Sequence, residues 1–170
     1  MDQYLPTDKR KFFPPIPKQQ LLQIFGSLLI LLWAYTAGSK LAAMEEFEKE
    51  LKNQVFSDSI SNQLIWLLPI TELLAAGLLL FTAARKIGFM LSTLLMAVFT
   101  IYIALVLGGY FHKFPCSCGG VLKELGWQAH LWFNLFFLSI SAAGIWLSTN
   151  VTASPSKHQQ KSAIQRRPKL

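Results

Sequence analysis

Cys116 and Cys118 stand one residue apart, are the only two cysteines in the 170 residues, and are followed by Gly119 and Gly120. Thiols this close can close only a small ring, which departs from relaxed disulfide geometry. Strained, exposed bridges have more oxidising potentials and exchange readily. The two glycines leave the approach to sulfur open and permit an unusual backbone path. Lys113 and Lys123 are nearby cations that favour thiolate, the nucleophilic form. The spacing points to thiol–disulfide exchange. Two other uses of the pair stay open. Soft sulfur suits copper(I) or zinc, with His112 or His130 completing a thin ligand set. An inert structural pair is the third, although so short a loop constrains almost nothing in the unfolded chain and adds little stability.

A second group of candidates lies inside apolar sequence. Glu72 interrupts an otherwise uncharged stretch over 63–84, about nine residues from its start, which is roughly 13 Å at the helical rise. A carboxylate that deep in hydrocarbon is costly and marks a functional candidate by default. Pro69, three residues earlier, withdraws one helix hydrogen bond and frees the Ile65 carbonyl. Lys40 closes the first apolar stretch and could reach down to Glu72, as a functional pair or as a lock on helix packing. His130 and Asn134 are four residues apart and share one helix face, which Leu138 and Ser141 continue. His130 could serve as an acid or base in thiol exchange, or simply hydrogen-bond a loop carbonyl. The candidate catalytic residues are therefore Cys116, Cys118, His130, Glu72 and Lys40, with Asn134, Gly119 and Gly120 supporting them. No dedicated metal site is assigned.

These residues must be positioned by four apolar stretches, at about 21–41, 63–84, 87–111 and 129–148. A spanning helix needs about 20 apolar residues, and lipid offers no partner for exposed backbone groups, so each is expected to be helical. The composition agrees: 52% of residues are hydrophobic and 15% charged, with a mean hydropathy of +0.38, which excludes a disordered chain. The first stretch reads as a retained span rather than a cleaved signal peptide, because it exceeds the usual apolar core and no small-residue cleavage site precedes Lys40. Small residues such as Gly77 and the Ala75-Ala76 pair suit close helix approach. Trp66, Trp127 and Trp132 suit interface anchors.

The net charge is +7, but the basic residues sit in tails and short loops, a placement that speaks for membrane topology and not for nucleic acid. The N-terminal segment, the Arg85-Lys86 turn and the C-terminal segment hold eleven Lys and Arg against five in the two longer loops. The positive-inside rule then puts both termini in the cytoplasm and the two longer loops outside. The expected fold is all-α, a polytopic four-helix membrane bundle: a tail over 1–20, the membrane domain over 21–149, and a basic tail over 150–170. In the first outer loop Met44, Phe47 and Leu51 form one apolar stripe, and Glu45–Lys49 and Glu48–Lys52 are favourable pairs four residues apart. A short amphipathic helix follows, with Phe47, Leu51 and Trp127 as candidate partner contacts.

The chain resembles the MauE/DoxX-like membrane proteins, a family described as redox-associated. The carrying residues are Ala37-Gly38-Ser39-Lys40-Leu41, Pro69-Ile70-Thr71-Glu72-Leu73-Leu74 and Phe99-Thr100-Ile101-Tyr102. More specific are Pro115-Cys116-Ser117-Cys118-Gly119-Gly120, then Leu125-Gly126-Trp127-Gln128-Ala129-His130 and Phe133-Asn134. The resemblance covers about 21–148. It implies an inner-membrane four-helix bundle of a bacterium. It also implies work beside a thioredoxin-like periplasmic protein, since MauE-type members are linked to maturation of the disulfide-rich methylamine dehydrogenase. DoxX-type relatives are associated with quinol oxidation, which makes a lipid quinone a candidate cofactor. The leading expectation is a thiol–disulfide oxidoreductase acting on a thioredoxin-like partner or a disulfide-bearing client. The alternatives are a non-enzymatic assembly subunit of a membrane complex and a copper- or zinc-handling protein.

Overall fold

The structure, a computed structural model, describes residues 17–52, 57–110 and 126–152. They form α1 (Lys18–Ala42), α2 (Met44–Lys52), α3 (Asp58–Leu80), α4 (Arg85–Leu107) and α5 (Trp127–Thr152), with no strand among the described residues. Four of the five, all but α2, are long and apolar enough to cross a membrane. Their boundaries differ from the apolar stretches for local reasons. The third stretch runs on to 111 in hydropathy, but α4 ends at Leu107, where Gly108 and Gly109 follow. Gly109 takes a positive φ of 73°, and its N–H and that of Tyr110 bond back to the carbonyls of Val106 and Leu105. That left-handed step is cheap only for glycine. α3 starts five residues before the apolar stretch, at Asp58, because polar residues extend the helix beyond the hydrocarbon signal.

Neighbours in sequence are neighbours in space. The most extensive packing joins α4 to α5 and α1 to α3; α3 also packs on α4 and α1 on α5, closing a ring α1–α3–α4–α5. Between α3 and α4 the chain turns over Phe81–Ala84, where Gly88 lies so close that a Cβ would sit 2.9 Å from the Leu79 backbone nitrogen. Between α4 and α5 the Phe89 ring lies against Gly144, where a Cβ would come within 2.3 Å of it. These glycines make the close approaches. Gly77, expected in that role, has open space beside it, whereas Ala75 and Ala76 are buried.

The bundle is apolar outside and partly polar within. Leu31, Trp66, Ile70, Leu94, Ile101, Trp132 and Trp146 are exposed, a surface that suits lipid and not water. Inside, a core of Leu29, Leu32, Leu79, Phe89, Met96, Phe137, Ile140 and Leu147 runs the length of the ring. Beside it lie buried Thr36, Lys40, Glu72, Ser92, Thr100, His130, Asn134 and Ser141. Together these features define a multi-pass membrane protein.

Candidate functional site

The polar residues gather where α1 ends and α5 begins. On α1, Leu32, Trp33, Thr36 and Lys40 recur at three- and four-residue steps and face inward. On α3 the inward face is Ile65, Pro69, Glu72 and Ala76; on α4 it is Phe89, Ser92, Met96 and Thr100. On α5, His130 and Asn134 share the inward face, as their spacing predicts, and are each 4% exposed.

Lys40 meets Glu72. The Lys40 Nζ donates to Glu72 Oε1 at 2.5 Å, and both side chains are 1% exposed. They stand 32 positions apart in sequence, with α2 and the first part of α3 between them. Burying two charges costs several kcal/mol each, and their attraction repays it only when geometry is good and the remaining lone pairs are also satisfied. Glu72 meets the first condition and only part of the second: the Thr36 hydroxyl on α1 also lies beside its carboxyl group. Among the described residues, its Oε2 is buried without a hydrogen bond, and so is Asn134 Nδ2.

α2 closes this end. Phe47 and Leu51 are buried against Ile65, with Met44, Leu64 and Leu68 packed around them. The Phe47 ring centroid lies 5.9 Å from Lys40 Nζ, within cation–π range. Ser61 Oγ donates to the Leu51 carbonyl at 3.3 Å and ties the end of α2 to α3. The amphipathic stripe expected for α2 is present, but its apolar side chains are spent inward. Phe47 covers Lys40 and Leu51 packs against Ile65, so both are buried and not exposed as partner contacts; the exposed face of α2 is Glu45, Glu46, Lys49 and Lys52. Of the two expected pairs on it, Glu48–Lys52 closes, and Glu45 and Lys49 form no ion pair among the described residues.

Beneath the roof lies a cavity of about 20 Å³, lined by Leu32, Trp33, Thr36, Lys40, Glu72, Met96, Phe99, His130, Phe133 and Asn134. All four spanning helices contribute. One wall is held by Trp33 Nε1, which donates to Ser92 Oγ at 2.9 Å across α1 and α4. The sequence reading missed Leu32, Trp33, Thr36 and Met96, and gave Phe99 and Phe133 only as parts of the family motifs, with no role at the site. Trp33 carried a usable signal: it sits well inside its apolar stretch, whereas Trp66 and Trp132 stand near the starts of theirs. Thr36 sits one turn before Lys40 on the same face, which is the other available hint.

Cys116, Cys118, Gly119, Gly120, His112, Lys113 and Lys123 lie outside the described residues, and the Trp127 side chain is likewise outside them. The chain enters and leaves that loop at Tyr110 and Gly126, the second of which is one turn from His130 and accepts its backbone N–H at 3.0 Å. Among the described residues no three His, Cys, Asp or Glu cluster as a metal site, so a copper or zinc centre would draw its sulfurs from the loop.

The family model described as methylamine utilisation protein MauE matches residues 18–147. No curated protein matches the chain, and no solved structure does.

Proposed function

We propose that this chain, which belongs to the MauE family, is a thiol–disulfide redox protein of the bacterial inner membrane. Both termini are cytoplasmic and the Cys116–Cys118 loop is periplasmic. In the oxidised state the pair takes two electrons and two protons from the dithiol of a thioredoxin-like partner or client, forming the partner's disulfide and its own dithiol. A lipid quinone then takes the two electrons and two protons, returning the pair to disulfide and leaving quinol. Exchange in the opposite sense runs through the same sulfurs. His130 handles protons beneath the loop, and Lys40 and Glu72 maintain a polar site there.

The supporting observation is the buried Lys40–Glu72 pair in one cavity with His130 and Asn134, at the end of the bundle where the cysteine loop joins α4 and α5. A structural lock needs only the ion pair. A buried histidine and a buried amide placed beside it mark a site of chemistry more than of packing. The family description adds a link to methylamine utilisation.

The test is the redox titration of the Cys116–Cys118 pair in the purified full chain, by alkylation and mass spectrometry across a glutathione series. A reversible two-electron transition well above about −300 mV, the range of stable structural bridges, is expected. Client disulfides that form normally in cells carrying C116S/C118S would overturn the proposal. A second reading, a non-enzymatic assembly factor, draws on the crevice between α1 and α2 beside Glu45, Glu46 and Lys49. It predicts loss of function on reversing those charges and none in the double serine variant.

A further inference from the structure

Glu72 Oε2 and Asn134 Nδ2 are an acceptor and a donor, each buried and each without a hydrogen bond among the described residues. They line the same cavity, from α3 and α5, which stand diagonally in the ring and are joined by no extensive packing. A buried polar atom left unmade costs about 1–3 kcal/mol, more when charged. In lipid no solvent relieves it. Two such atoms of opposite hydrogen-bonding sense, facing one space, call for a group that donates to one and accepts from the other.

The space sets the size of that group. A cavity of about 20 Å³ exceeds the roughly 10–15 Å³ that one water needs and is far below the several hundred Å³ typical of organic ligand pockets. We infer that the cavity binds a single water, which donates to Glu72 Oε2, accepts from Asn134 Nδ2 and uses its second proton or lone pair toward His130. The water links the diagonal helices and completes a polar network drawn from α1, α3 and α5. It also puts His130 and Glu72 in proton contact. A proton leaving the imidazolium enters the water, and the water passes one of its own to Oε2. Neutral imidazole, water and a carboxylic acid result, with Lys40 still beside Oε1. The water site stands independently of thiol exchange; its use as a proton path rests on the function proposed above.

Solid-state NMR on the full chain in lipid bilayers tests it, using water-edited transfer to ¹³C-labelled Glu and ¹⁵N-labelled Asn side chains. Expected is transfer from water to the Glu72 carboxyl carbon and the Asn134 amide at short mixing times, persisting when surface water is frozen out. Asn134→Leu should abolish the transfer to Glu72. Absence of transfer to Glu72, with exposed Glu48 showing it, overturns the water site. So does a direct Glu72–Asn134 cross-peak with no water contact, which would mean the two side chains satisfy each other. The Asn134→Leu variant is dispensable if it does not fold, since the wild-type spectrum decides. The cysteine titration reads the loop separately, so either idea can fail alone.

Discussion

Removing Lys40 alone should cripple the fold, and removing Lys40 together with Glu72 should not. In the native protein one oxygen of Glu72 is held by Lys40 at 2.5 Å and the other has no hydrogen bond among the described residues, with the side chain 1% exposed. Lys40→Met keeps the length of the stem and deletes the charge. The carboxylate then keeps its burial and loses its counter-ion. Breaking a buried pair in this way costs about 3–5 kcal/mol. At about 1.4 kcal/mol per decade the folding equilibrium falls by roughly two to four orders of magnitude. Replacing both residues removes the desolvation cost along with the attraction, so K40M/E72M should fall within about 1 kcal/mol of wild type or exceed it. The assay is reversible SDS unfolding in mixed micelles, where the denatured carboxylate reaches water, read by far-UV circular dichroism as a double-mutant cycle. A single Lys40→Met variant within 1 kcal/mol of wild type, or a double variant as damaged as the single, would refute the electrostatic argument.

Three further outcomes follow from the packing. Gly144→Ala drives a methyl into the Phe89 ring and should cost about 1–3 kcal/mol, with Phe89→Leu in the same chain recovering most of it. Ser92→Ala removes the acceptor of the buried Trp33 N–H, at about 1–3 kcal/mol, and Trp33→Phe alongside it should restore part of the loss; both are read in the same unfolding assay. Phe47→Ala opens the roof over Lys40. Amide exchange in α2 should accelerate and Lys40 should become reactive to amine-directed reagents, whereas an unreactive Lys40 would show that α2 does not control access.

The four spans were legible because hydropathy over some 20 residues reports bilayer thickness directly. Their ends were not, because ends answer to local chemistry: the Gly108-Gly109 step stops α4 inside an apolar run, and Asp58 starts α3 outside one. Lys40, Glu72, His130 and Asn134 stood out in sequence because charged and amide side chains are expensive in lipid. That Lys40 meets Glu72 could not be read, since it depends on which helices are neighbours. The fate of Phe47 and Leu51 was half legible. Their spacing shows an apolar stripe, but a stripe does not say whether it faces a partner or the protein's own roof. Gly77 was misjudged against Gly88 and Gly144 because a small residue signals close approach only once its neighbour, Leu79 or Phe89, is known.

The Lys40–Glu72 pairing also bears on how the chain enters the bilayer during synthesis. Lys40 emerges 32 residues before its partner and sits two residues from the end of α1. Its long stem lets the ammonium stay at the headgroups while the rest of α1 is already in hydrocarbon. Glu72, near the middle of α3, has no such refuge. The first helix can therefore insert alone, but the second is best delivered against it, each charge cancelling the other as they cross. The α1–α3 hairpin then acts as the unit of insertion, and α4 and α5, which bear no charge beyond the Arg85-Lys86 end, follow without electrostatic help.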